Sequence, residues 1–155
     1  MKINLTQNKN FKLFKIISKV AQENNQTVYI VGGYVRDLLM QRKAPTDIDF
    51  VTEQSGIELA KAVGKELGDL KVSVFKTYGT AMIKYKDLDL EFVGARKESY
   101  SEDSRKPAVE TGTLEDDQKR RDFTVNALAI SLNAENFGEL IDPFNGREDM
   151  QNTIL

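Results

Sequence analysis

Val28-Tyr29-Ile30-Val31-Gly32-Gly33-Tyr34-Val35-Arg36-Asp37-Leu38-Leu39 compresses a strand, a turn and a helix start into one short stretch. Val28 to Val31 is an apolar, β-branched run suited to a buried strand. Gly32 and Gly33 cut it off and predict a tight turn, with a helix over roughly Val35 to Gln41 behind it. At such a turn the missing side chains let backbone amides approach a phosphate. The helix N-terminus adds partial positive charge, and Arg36, one turn in, adds a forked donor. The turn alone also accounts for two glycines, so these residues by themselves leave phosphate binding open.

Downstream, after Pro45, Asp47-Ile48-Asp49-Phe50-Val51 alternates polar and apolar residues, as a strand with one wet and one buried face does. Asp47 and Asp49 then share a face about 6 to 7 Å apart, near enough to reach one hard cation. Solvated acids at a strand end, or a helix cap, explain an isolated Asp-x-Asp equally well. Leu88-Asp89-Leu90-Glu91-Phe92-Val93 repeats the pattern. If the two strands are neighbours, Glu91 completes a three-carboxylate site of the kind magnesium takes, with positions left for water and substrate phosphates. The alternative is a half-exposed edge strand carrying acids for solubility.

The remaining elements frame these. Phe11, Phe14, Ile17 and Val20 recur at helical spacing and predict an amphipathic helix ending near Asn24 and Asn25. Ser55 and Glu58 resemble a capping box opening a helix through Leu67, stopped by Gly68. Strands are expected over Lys71 to Phe75 and Thr80 to Tyr85, the latter forming a hairpin with the Leu88 strand through Lys86 and Asp87. Arg96 to Thr113 is polar, contains Pro107 and reads as a mobile loop. Thr113 is a candidate cap for a helix containing Glu115 to Asp122, after which Phe123, Ala127 and Ile130 return to the core. A late strand through Ile141, a turn at Asp142 to Gly146 and the start of a further helix at Arg147 to Leu155 follow. No internal repeat is seen.

The 155 residues are 40% hydrophobic and 30% charged, enough for one core and one domain. A formal net charge of -2 gives no overall basic field for a polyanion, so any nucleic-acid contact is local or lies elsewhere. With no cysteine and no histidine, disulfides, thiolate zinc sites and histidine bases are excluded, leaving carboxylates, Lys, Arg, hydroxyls or an oxygen-liganded ion. The polar start lacks a signal peptide's apolar run and no segment is long enough to span a membrane, so a cytoplasmic location is expected.

Asp117-Gln118-Lys119-Arg120-Arg121-Asp122-Phe123-Thr124-Val125-Asn126-Ala127 admits two readings: a solvated, ion-paired helix face, or paired arginines clamping a triphosphate. Taken with Val31 to Leu39 and Asp47-Ile48-Asp49, in that order along the chain, the run Arg120 to Ala129 resembles the class II tRNA nucleotidyltransferases and bacterial poly(A) polymerases.

The resemblance implies an α/β (α+β) fold, a polymerase-β-like nucleotidyltransferase head with a mixed sheet backed by helices. It implies two magnesium ions held by Asp47, Asp49 and Glu91 as the catalytic carboxylates. Gly32, Gly33 and Arg36 match its nucleotide-binding turn and Arg121 a nucleotide contact, while Asp117, Arg120 and Asn126 fall on other positions of the same motif. Expected partners are ATP, CTP and the 3′ end of tRNA or another RNA, the RNA held mainly by neck, body and tail domains that normally follow the head. The base-reading Glu-Asp-x-x-Arg motif of such a neck does not occur before Leu155, so residues 1–155 read as the head of a longer protein. Met40-Gln41 stands where the family often has Gly. Two rivals remain: a module of the same fold that only holds a triphosphate, and a structural fragment whose acids bind cations nonspecifically.

Overall fold

In the computed structural model, residues 1–43, 45–99, 108–119 and 127–142 are described. They form helices α1 (Phe11–Glu23), α2 (Gly33–Leu39), α3 (Gly56–Glu66) and α4 (Leu114–Lys119), with strands β1 (Tyr29–Val31), β2 (Asp47–Thr52), β3 (Val72–Phe75), β4 (Thr80–Tyr85), β5 (Leu88–Gly94), β6 (Arg96–Ser99), β7 (Ala108–Thr111), β8 (Ala129–Ser131) and β9 (Leu140–Ile141). Seven strands make one sheet in the order β3-β4-β5-β2-β1-β8-β9, and β6 pairs only with β7. The sheet is mixed: β2 and β5 run parallel, and the other pairs are antiparallel.

Alternation sorts the sheet into two faces. Ile30, Ile48, Phe50, Leu90 and Phe92 join Phe14 and Ile17 of α1, Val35 of α2 and Leu59 and Val63 of α3 in the main core. Phe50 and Phe92, register partners on β2 and β5, stack with ring centroids 5.0 Å apart. The opposite face carries a smaller cluster, Tyr29, Val31, Val51 and Ala129, covered by Leu114 of α4 and by Ala95.

Local chemistry sets most boundaries. Gly32 takes φ +76°, a conformation that costs a residue with a Cβ, and α2 begins at the next residue, two earlier than the sequence pattern suggests. Ser55 caps α3 by accepting the Glu58 amide at 3.2 Å, as expected. Gly56 then seats the helix on β5, where a Cβ would lie 2.8 Å from Val93 C and from Gly94 N. The β4–β5 hairpin turns through Lys86 and Asp87 as anticipated, with Lys86 at φ 54°.

One expectation is corrected, one alternative is set aside and one strand is added. Arg96 to Thr113 is not wholly a loop, because Arg96–Ser99 pairs antiparallel with Ala108–Thr111. Backbone hydrogen bonding makes this ribbon without an apolar face to announce it. β5 is not an edge strand, since it lies between β4 and β2. The short strand β8, paired with both β1 and β9, appears where only a return to the core was foreseen. The turn beyond Asp142 and the helix start at Arg147 to Leu155 lie outside the described residues. Among the described residues no helix is long and apolar enough to cross a membrane.

Candidate active site

The parallel register of β2 and β5 pairs Asp47 with Asp89 and Asp49 with Glu91. Ile48, Phe50, Leu90 and Phe92 point into the helix-covered core, so all four acids stand on the opposite, open face. The strand order thus meets the condition on which a three-carboxylate site depended. Asp47 is exposed, while Asp49, Asp89 and Glu91 are half-buried. Among the described residues no three acid side chains are already drawn together as a metal-holding group. The backbone spacing nevertheless suits one. Neighbouring strands about 4.8 Å apart, and alternate residues about 6.6 Å apart along a strand, leave carboxylates within reach of a shared hard cation by side-chain rotation alone. An all-oxygen donor set fits magnesium rather than zinc or copper.

The glycine turn is built against these acids. Val31 is the register partner of Asp49, and the chain turns immediately after it. A Cβ placed on Gly32 would meet Asp49 Oδ2 at 3.4 Å, so the turn's backbone lies next to the carboxylate. Arg36 folds back over the turn, its Nη2 3.4 Å from where a Gly33 Cβ would stand, while its Nε donates to Asp37 Oδ1 at 3.2 Å. Asp37 also pairs with Arg42 at 3.9 Å. Gly32, Gly33 and Arg36 are therefore gathered on the β1 side of Asp49.

α2 is held by a buried network that sequence reasoning missed. Tyr34, 2% exposed, packs edge-on against Phe14, donates to Asn8 Oδ1 at 3.2 Å and accepts from Asn10 Nδ2 at 3.0 Å. Fixing the second residue of α2 to the N-terminal segment fixes the turn before it. Asn8 and Asn10 are polar residues two apart ahead of a helix and carry no periodic signal that would separate them from a loop.

Asp117 sits on α4 and is fully buried, as is its neighbour Gln118, which donates to Ala127 O at 2.7 Å. Of the two readings of that helix, burial sets aside a solvated face at Asp117 and Gln118. α4 is oriented by Thr113, whose hydroxyl accepts the Asp116 amide at 3.2 Å, and by Glu53, which accepts the Leu114 amide at 2.9 Å. Glu53 was not anticipated. Its other oxygen accepts from the Tyr29 hydroxyl at 3.4 Å, and burial first, then the Glu53 charge, push that phenol above its ordinary pKa. Arg120, Arg121 and Asn126 lie outside the described residues.

Residues 28–155 match the family described as the poly(A) polymerase head domain, and the chain belongs to that family. It is 46% identical over 127 residues to the A-adding tRNA nucleotidyltransferase of Aquifex aeolicus, a match that covers 82% of this chain and 15% of that protein. A solved tRNA-processing enzyme in an apo form superposes with a TM-score of 0.83 at 40% identity, covering 97% of this chain and 37% of the other. A tRNA nucleotidyltransferase complexed with a primer tRNA and an incoming ATP analogue gives a TM-score of 0.75 at 42% identity, over 87% of this chain and 36% of that one. The chain thus spans little more than a third, or less, of the proteins it resembles. Its architecture is the nucleotidyltransferase head that the sequence motifs imply, a mixed sheet backed by helices.

Proposed function

We propose that this chain is the catalytic head of a template-independent RNA nucleotidyltransferase that adds nucleotides, A alone or CCA, to the 3′ end of tRNA or a related RNA. The observation that carries the reading is the placement of Asp47, Asp49 and Glu91 on one open face beside the Gly32–Gly33 turn. Relatives named for A addition to tRNA, and a similar structure with primer tRNA and an ATP analogue, support ATP and an RNA end as substrates, and a similar tRNA-processing enzyme solved with CTP supports CTP.

In this reading the backbone of Gly32 and Gly33 and the guanidinium of Arg36 bind the triphosphate, with Arg121 as a further nucleotide contact. Asp117, Arg120 and Asn126 belong to the same motif. Asp47, Asp49 and Glu91 would hold two magnesium ions, which when bound supply Lewis-acid chemistry to the attacking and leaving oxygens. The RNA 3′-oxygen bonds to the α-phosphorus and the bond to the β-phosphate oxygen breaks. Pyrophosphate leaves, and the hydroxyl proton passes to Glu91 or to solvent. The chain acts as the head of a longer cytoplasmic protein whose other domains hold most of the tRNA.

A non-catalytic triphosphate-holding module has no use for a third carboxylate, and Glu91 opposite Asp49 weighs against it. The test is pyrophosphate release by the protein's full chain, supplied with ATP or CTP, magnesium and tRNA lacking its terminal nucleotides. Release that tracks extension of the RNA supports the enzyme. Nucleotide binding without release would leave the holding module.

A further inference from the structure

The open face does not end at the carboxylates. Continuing the register outward, Asp89 pairs with Lys84, Glu91 with Met82 and Val93 with Thr80 on β4. Thr80 in turn pairs with Phe75 on β3, and Ile83 pairs with Val72, which places Lys71 beside Lys84 at the end of the ladder. By alternation Lys71, Phe75 and Lys84 therefore share the face of Asp47, Asp49 and Glu91. The face grades from acidic over β2 and β5 to basic and aromatic over β4 and β3.

Two features of this flank go beyond packing. Lys71 and Lys84 are exposed, and among the described residues neither forms an ion pair. Phe75 is 46% exposed and Tyr78, in the turn that follows, 63%, the only aromatic residues left so open among those described. A lysine such as Lys71 is what an edge strand carries to block edge-to-edge pairing, but Lys84 stands on the interior strand β4, and an exposed aromatic at the end of β3 works against that purpose. Cations interleaved with free ring faces are what single-stranded nucleic acid recognises: phosphates by charge, bases by stacking.

The direction of approach selects the occupant. The Gly32–Gly33 turn and Arg36 lie on the β1 side of Asp49 and, on the reading proposed above, take the triphosphate. In-line displacement brings the attacking hydroxyl from the side opposite the leaving pyrophosphate, across Glu91 and therefore over β4. β3 lies about 10 Å beyond β5, within reach of the nucleotides just behind a 3′ end. A polyanion approaching four carboxylates on a chain of net charge -2 also needs local positive charge, and this flank supplies it. We propose that the β4–β3 flank is the track for the single-stranded 3′ end of the RNA, with Lys84 and Lys71 on its phosphates and Phe75 or Tyr78 under a base. The inference rests on the proposed transfer reaction for its direction and deepens that reading.

The test uses the full chain, an RNA acceptor and a 5′-labelled single-stranded RNA oligonucleotide. Phe75→Ala combined with Lys84→Ala is expected to raise the RNA KM and the oligonucleotide Kd by about tenfold, with kcat and the ATP KM within about twofold of wild type. Lys84→Ala alone lowers the slope of log affinity against log salt by about 0.7, and Lys84→Arg restores it. Both positions are exposed, so melting temperatures should stay near wild type. Unchanged RNA KM and Kd, or a rise in the ATP KM instead, would overturn the track. If wild type binds the oligonucleotide through these residues but transfers nothing, the reaction fails and the track stands. Normal transfer with variant RNA binding equal to wild type fails the track alone, and absence of both transfer and binding fails both.

Discussion

Asp49 on β2 and Glu91 on β5 are direct partners across a parallel register, with Phe50 and Phe92 one residue on stacked in the core behind them. The stacked pair locks the phase of both strands. A slip by one residue in either would turn its acids into the core and its phenylalanine out to solvent, so burial of Phe50 and Phe92 holds the carboxylates on the open face.

Replacing Asp49 by alanine therefore attacks chemistry without touching the element that defines the fold. Asp49→Ala in the full chain should lower nucleotide transfer by more than about a hundredfold, because a ligand of the proposed ions is lost. Stability should change by no more than about 2 kcal/mol, because Asp49 is half-buried on the open face and Phe50, which fixes the phase of the strand, is untouched. Steady-state transfer rates and urea denaturation check both halves. Activity within tenfold of wild type would remove Asp49 from the site.

The seat of α3 on β5 yields a stability prediction. A Cβ at Gly56 would meet Val93 C and Gly94 N at 2.8 Å and Phe92 O at 2.9 Å, all backbone atoms that move only with the strand. Gly56→Ala should cost about 1 to 3 kcal/mol, although alanine is the better helix former by about 1 kcal/mol. Since the displaced strand carries Glu91, transfer should fall more than in a control such as Lys61→Ala on the exposed side of the helix. A Gly56→Ala protein as stable as wild type would show that α3 can shift freely on the sheet.

Tyr29 sets an alkaline limit. Its folded pKa lies above a phenol's ordinary value of 10.0, through burial first and the Glu53 charge second. The folded protein then holds the phenolic proton more tightly than the unfolded chain. The contribution is fully present below pH 10 and is lost as pH rises through the folded pKa. Tyr29→Phe removes this dependence. The stability difference between wild type and Tyr29→Phe, read from urea midpoints, should move in favour of the variant above about pH 10. A difference that stays flat there contradicts the assignment.

The legible parts of the molecule were those written in short-range pattern. The Val28-to-Leu39 strand, turn and helix, the alternation of Asp47 to Val51 and Leu88 to Val93, and the Ser55 cap each follow from neighbouring residues, and each is found. What escaped depends on partners distant in sequence. The β6–β7 ribbon sets Arg96-Lys97-Glu98-Ser99 against Ala108-Val109-Glu110-Thr111, and hardly any apolar residue marks either strand. Asp117 reads as surface because its neighbours Glu115 and Asp116 are, yet Leu114, Asp117 and Gln118 form the buried side of α4. Tyr34 passes for an ordinary core aromatic until Asn8 and Asn10 are seen on its hydroxyl. Pairing of Asp49 with Glu91 likewise required the strand order, which alternation alone does not specify.

The groups assembled beside Asp49 also predict how the 155-residue chain treats nucleotides. The backbone at Gly32–Gly33 and the guanidinium of Arg36 answer phosphate and ribose chemistry, which ATP, CTP, GTP and UTP share. Discrimination between bases needs donors and acceptors matched to a base edge. Binding should therefore be weak, magnesium-dependent and nearly base-blind, because the ions neutralise carboxylates that otherwise repel the triphosphate. Thermal-shift titration of the four nucleotides, with and without magnesium, reads this as stabilisation growing with ligand concentration. The four apparent affinities should agree within about tenfold, or about 1.4 kcal/mol, and fall together when magnesium is chelated. A larger preference for ATP or CTP would mean that this head itself reads the base. Equal binding after chelation would mean that Arg36 and the turn hold the triphosphate without the carboxylates of β2 and β5.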